Sequence, residues 1–282
     1  MKKTISLFLL VSCFQFKLAA QETKTIDKSI YSVIYDYRFQ KDSTSLIKKD
    51  RFELLIGKKY SLFQSLNIKF NDSLFNANEE AIHSATESSE ISSILSEQKR
   101  VLLKFKILKK GNHITTYDNV IVDKYMYDEM ASFNWKIHKD TLTINSYKCN
   151  KASVIFSSRD YIAWFTKEIP IANGPYKFVG LPGLIVKIYD TKKQHTFALA
   201  SFIKKQELII LYKDIFTTGG PRQKVSKKEY YKAIKDFKDN PISYRINKMG
   251  QIFDENNRQE QYRKILERTK RYKANTIEQI IE

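Results

Sequence analysis

Residues 31–39 read Tyr-Ser-Val-Ile-Tyr-Asp-Tyr-Arg-Phe, and this stretch decides the fold class. Its odd positions (Tyr31, Val33, Tyr35, Tyr37 and Phe39) are all apolar or aromatic. Ser32, Asp36 and Arg38 alternate with them, and Ile34 alone breaks the pattern. A period of two separates the faces of a pleated chain, so this is a strand with one buried face. Phe52, Leu54 and Ile56 repeat the pattern before Gly57-Lys58-Lys59, and Tyr60–Phe63 follows, which predicts a hairpin with a short loop. Val101, Leu103, Phe105 and Ile107, interleaved with Lys104 and Lys106, predict a further strand that turns at Gly111-Asn112. Between these, the Ser- and Glu-rich residues 76–99 fit a helix or an inserted excursion.

Further along, Phe133–His138, Asp140–Ile144, Tyr147–Phe156 and Tyr161–Thr166 predict antiparallel neighbours separated by turn residues, and Leu184–Tyr189 and Thr196–Phe202 extend them. The tail changes character. Ser226 with Glu229 fits a capping box, and Tyr230, Ala233, Ile234 and Phe237 take helical spacing before Asn240-Pro241. Residues 258–273 predict a last, basic helix. The expected fold is α+β and β-dominated: a curved antiparallel sheet over 31–202, with helices over 226–282. With 18 Phe and 17 Tyr the chain can bury a sizeable core, and its 28% charged residues exclude a multi-span membrane protein.

The N-terminus addresses the compartment. Lys2 and Lys3 precede the short apolar run Ile5–Phe16 and the small residues Ala19-Ala20. This is the pattern of a secretory signal peptide over 1–20, followed by a single domain over 21–282. Leu10-Val11-Ser12-Cys13 offers a lipoprotein alternative through Cys13, but the apolar run continues through Phe14 and Phe16. The expected location is the periplasm or the outer membrane. Cleavage after Ala20 leaves Cys149 as the sole cysteine, so no intramolecular disulfide forms.

One segment stands apart. Residues 161–190 read YIAWFTKEIPIANGPYKFVGLPGLIVKIYD. Pro170, Pro175 and Pro182 fall here with Gly174, Gly180 and Gly183, so the chain is built to follow one irregular path. It also carries Ile169, Ile171, Tyr176, Phe178, Val179 and Leu181, which must pack on the sheet or face a ligand. Trp164, Phe165, Tyr176, Phe178, Leu181 and Pro182 are therefore the candidate ligand- or partner-binding residues.

The hexapeptide Gly180-Leu181-Pro182-Gly183-Leu184-Ile185 follows Ala163-Trp164-Phe165, Glu168-Ile169-Pro170-Ile171 and Gly174-Pro175-Tyr176-Lys177-Phe178. Together they resemble the GLPGLI family of secreted bacterial envelope proteins. The resemblance is specific over about residues 133–200 and includes Tyr147-Lys148-Cys149-Asn150-Lys151-Ala152. Ser157-Ser158-Arg159 departs from the family, which commonly has Gly before the Arg. The resemblance implies a signal peptide and association with TonB-dependent outer-membrane transport, and it brings no catalytic residues with it.

Chemistry is otherwise sparse. His83, His113, His138 and His195 form no metal-ligand spacing, and no cofactor motif is present. If neighbouring strands brought Cys149 to His138, a nucleophile pair could form, the basis of an alternative reading as an envelope hydrolase or peptide-modifying enzyme. The net charge of +18 is spread along the chain without a nucleic-acid-binding motif. Arg258, Arg263, Lys264, Arg268, Lys270, Arg271 and Lys273 form the densest run, able to touch an anionic membrane surface. The reading is a binding or accessory protein whose partner is a peptide, a lipid or an outer-membrane transporter. Its oligomeric state is left open.

Overall fold

The computed structural model describes residues 23–40, 45–85, 87–212, 220–270, 272–273 and 276–278. The signal-peptide and Cys13 readings lie outside the described residues. The chain opens with β1 (Lys24–Phe39), β2 (Lys48–Gly57) and β3 (Ser61–Ser65), then α1 (Leu66–Ala77), α2 (Glu79–Ser84) and α3 (Ser88–Ser96). Next come β4 (Lys106–Lys110), β5 (His113–Val120), β6 (Asp123–Met130), β7 (Lys136–Ile144), β8 (Tyr147–Phe156) and β9 (Arg159–Thr166). After a long irregular loop follow β10 (Leu184–Asp190), β11 (His195–Lys204), β12 (Leu208–Leu211) and β13 (Gln223–Lys224). Three helices close the described chain: α4 (Lys227–Asp239), α5 (Pro241–Met249) and α6 (Arg258–Lys270).

The strands form one sheet in the order β13-β6-β5-β4-β3-β2-β1-β11-β10-β9-β8-β7, with β12 added to β1. Its pairings are antiparallel except for β13 on β6. Two meanders thus meet at β1: one runs outward from β2 to β6, and the other returns from β7 to β11. The step between them dictates the shape. From Met130 to Lys136 the chain spans at most about 21 Å. In a flat sheet β6 and β7 would stand about 48 Å apart. The sheet must therefore curl until its ends approach, and the expected α+β, β-dominated class with a curved sheet is observed.

The curl encloses one aromatic core. Val33, Tyr35, Tyr37 and Phe39 of β1 pack with Phe52, Phe63 and Ile107 from the first meander and with Tyr161, Phe165 and Phe197 from the second. A smaller cluster, Leu55, Leu62, Leu108, Tyr117 and Ile209, forms separately. Helix α4 lays Tyr230, Ile234 and Phe237 against Val120 and Tyr127. Its start is fixed by the predicted capping box: Ser226 Oγ accepts from the Glu229 amide at 3.2 Å, and the Ser226 amide donates to Glu229 Oε2 at 2.7 Å.

Two local expectations change. Residues 101–105 do not extend a strand, because β3 pairs through Gln64 with Lys106 and then turns into α1 at Leu66, leaving nothing opposite them. Pro241 does not merely end α4; it opens α5 at a first-turn position, where its missing N–H costs nothing. The Ser157-Ser158 turn is tight without glycine. Both serines adopt positive φ (46° and 59°), and Phe156 pairs directly with Arg159 in a two-residue hairpin.

Candidate functional site

The loop between β9 and β10 fills the curl as a plug. Its backbone and the start of β10 are tied down by distant groups: Trp135 Nε1 donates to Val179 O at 2.9 Å, and the Tyr35 hydroxyl to Ile185 O at 2.7 Å. Buried Lys109 donates to Gly174 O at 2.6 Å and to Asn173 Oδ1 at 3.0 Å. Asn173 Nδ2 in turn donates to Ser61 Oγ at 2.9 Å. Lys109 has no carboxylate among these partners, so burial pushes its ammonium well below the usual lysine range.

Of the six candidate residues, Phe165, Tyr176, Phe178 and Leu181 are buried, Trp164 is half-buried, and Pro182 is exposed. Phe178 meets the rings of Phe133, Trp135, Phe156 and Tyr161. Within the hexapeptide, Gly180 is exposed, whereas Gly183, Leu184 and Ile185 are buried. Tyr176 is held at φ 51°, a conformation that a bulky residue keeps only when its surroundings over-determine it.

Beside the plug lies a cavity of about 350 Å³, walled by Tyr37, Phe39, Phe105, Tyr127, Tyr176 and Tyr230. Residues 101–105, with no strand to pair, form one side, and Tyr272, Lys273 and residues 276–278 form another. In the lining, Asp118 accepts from the Tyr230 hydroxyl at 2.6 Å and from Lys273 Nζ at 2.5 Å. Glu278, also in the lining, is enclosed by Tyr176, Lys177, Lys227 and Tyr231. Glu129 completes this network, contacting Lys177 and accepting from Lys227 at 2.8 Å.

Burial alone would raise the Glu278 carboxyl, but the Lys177 and Lys227 ammonium groups outweigh it and hold it well below the usual carboxylate range. Burial would likewise lower Lys177, yet Glu278 and Glu129 keep it above its ordinary value. Lys109, Glu129, Lys177, Lys227 and Glu278 escape sequence reasoning because their partners are far apart in the chain. One signal was present: a lysine between Tyr176 and Phe178 in an apolar loop has to find a buried counter-charge.

The structure does not bring Cys149 to His138. His138 Nε2 instead meets Ser153 Oγ at 2.7 Å, and Ser153 lies about 13 Å along β8 from Cys149. The thiol is buried and donates to Tyr147 O at 3.4 Å, and desolvation pushes its pKa up to about 11, away from a nucleophile. Among the described residues no group of three or more His, Cys, Asp or Glu could hold a metal ion. The basic tail is partly neutralised, with Arg263 paired to Glu260 and Glu267, and Lys273 turned inward to Asp118. Among the described residues no helix is long and apolar enough to cross a membrane.

Residues 157–187 match a family described as protein of unknown function (Porph_ging). The matched segment runs from the β8–β9 turn through the plug into β10 and contains the hexapeptide, in keeping with the GLPGLI resemblance. No curated protein matches the chain in sequence. Among solved structures it is similar to PNGF-II, at 13% identity with a TM-score of 0.46, covering 74% of this chain and 33% of that one. The chain thus spans about a third of the length of PNGF-II. It is similar to an uncharacterized conserved protein from Thermus thermophilus, at 4% identity, TM-score 0.32, covering 70% and 91% of the two chains. A LolA superfamily protein from Nitrosomonas europaea stands at 9% identity, TM-score 0.25, covering 63% and 86%.

Proposed function

We propose that the chain is an exported envelope binding protein that receives an apolar or amphipathic ligand in the aromatic cavity beside the plug. The cavity carries this reading. It is partly open to solvent, and its volume of about 350 Å³ falls within the range of small-molecule sites, roughly 300–1,000 Å³. Aromatic and aliphatic side chains supply most of its walls, and Lys104, Asp118, Lys273 and Glu278 are the charged groups among them, a pattern that buries a ligand's body and orients its polar part.

In this reading Phe165, Phe178 and Leu181 anchor the plug, and Tyr176 faces the ligand. Trp164 and Pro182, together with exposed Gly180, mark the face open to a partner. An outer-membrane transporter of the TonB-dependent kind is the proposed partner, with residues 1–20 as the cleaved leader and 21–282 as one domain. Titration with N-phenyl-1-naphthylamine tests the cavity. Saturable fluorescence enhancement is expected, and Ile234→Trp, which puts bulk into the cavity wall, should weaken it at least tenfold. A folded protein that never enhances the dye overturns the reading.

A further inference from the structure

Resting on that reading, we infer that the cavity ends in a carboxylate-binding site, which the chain's own Glu278 fills in this structure, and that the ligand is an apolar-bodied carboxylate competing with residues 276–278. Four donors converge on one carboxylate. Tyr176 donates to Oε1 at 2.6 Å beside Lys177, while Lys227 donates to Oε2 at 2.5 Å and Tyr231 at 3.3 Å. They come from two separate elements, the plug and α4, and Tyr176 reaches the site from a strained backbone. Such convergence is what a dedicated anion site provides: two charges, two hydroxyls and almost no water.

The occupant resembles the proposed ligand. The Ile277 side chain joins the main aromatic core, and the adjacent Glu278 places its carboxylate among the donors. An aliphatic body followed by a carboxylate is the chemistry of a fatty acid or of an acidic amphiphile. Residues 276–278 form no helix or strand. Their Thr276 and Ile277 carbonyls accept instead from the Arg159 and Tyr161 side chains, at 3.2 and 2.7 Å. Side-chain contacts of this kind can release without breaking the sheet. When it does, Lys177 and Lys227 retain only Glu129 from the network, and an entering carboxylate restores the charge balance. Thr276, Ile277 and Glu278 wall the cavity together with the donors Tyr176 and Tyr231, so an apolar body lying there reaches the site.

Displacement of N-phenyl-1-naphthylamine by dodecanoate and by dodecanol tests this on the full chain. Dodecanoate should displace the dye at a concentration at least tenfold lower than dodecanol. Glu278→Gln removes the competing charge and should tighten dodecanoate about tenfold, because the competent open state is more populated. Lys227→Gln, on the partly exposed start of α4, should weaken dodecanoate and leave dodecanol unchanged. Should Glu278→Gln fail to fold, Ile277→Ala loosens the same segment with all four donors intact and should also tighten dodecanoate. Equal displacement by acid and alcohol, or no tightening in a folded tail variant, overturns the carboxylate site while the cavity stands. Absence of dye binding in every folded form removes the cavity reading itself, and this inference with it.

Discussion

A methyl group on Gly183 would lie 2.0 Å from the carbonyl oxygen of Thr166, which is main chain and cannot swing aside. Its φ of +156° is disfavoured for any residue with a side chain, so strain adds to the collision. Gly183→Ala should therefore lose about 4 kcal/mol or more of stability, among the largest effects a single substitution produces, read from the urea midpoint. Exposed Pro182 is the control: Pro182→Ala should cost no more than about 1 kcal/mol, acting through the unfolded chain. A near-neutral Gly183→Ala would mean that β9 and the end of the plug do not approach as described. Cys149 gives an independent reading of the same region. Its raised pKa and full burial predict that iodoacetamide leaves it unmodified for hours in the native protein and labels it at once in guanidinium. Prompt native labelling would show that β8 opens far more readily than its pairing implies.

At the scale of single elements, α4 links the tail to the cavity. Ser226→Ala removes its cap and should cost about 1 kcal/mol, measured by thermal or urea unfolding. Because Lys227 and Tyr231 lie in the first turns, the same substitution should also loosen the hold on Glu278, visible as faster amide exchange near the tail. The cap was legible from four letters because both of its partners are local, and so was the β2–β3 hairpin, with its alternation and its Gly57 turn. Residues 113–130 give a weaker signal. In β5, Thr115 and Thr116 are both buried, Thr115 bonding Asp128 and Thr116 facing the cavity, so period two is erased. The strand expected over 101–105 failed for a similar reason, since its pairing depends on where β3 stops. The motif itself was legible as a stiffened apolar loop, but not as an interior plug. That outcome depends on the sheet curling, which follows from a five-residue connection between its two ends. The buried ion pairs were the least legible, as Lys177 and Glu278 meet only after the whole sheet has formed.

For the whole molecule, the aromatic core sets a pH limit. Tyr35, Tyr37, Tyr127, Tyr161, Tyr176 and Tyr230 are buried, and desolvation raises each phenol above its ordinary value of 10. A raised folded pKa contributes stability that is complete below pH 10 and is lost as pH climbs, because the unfolded chain releases these protons first. Each such group changes stability by about 1.4 kcal/mol per pH unit, so six acting together remove about 8 kcal/mol per unit, comparable to a domain's entire stability. Raised Lys177 acts in the same direction above 10.5. Depressed Lys109 acts oppositely, adding stability as pH rises towards 10.5, but it counts for one proton against six. On the acid side the sign reverses. Glu278 is depressed, so its contribution is complete above about pH 4.5 and fades as pH falls towards 2. Between about pH 5 and 10 only Lys109 among these groups gives a slope, a gentle rise of stability with pH, and above pH 10 the protein should unfold over roughly one to two further units. Absorbance at 295 nm, followed alongside far-UV circular dichroism, checks this. The exposed phenols should titrate gradually, and the buried ones should ionise in one step that coincides with loss of strand signal. Phenolate absorbance complete for all 17 tyrosines while the strand signal persists would mean that water reaches the interior of the curl, and that its core is not the closed aromatic body described.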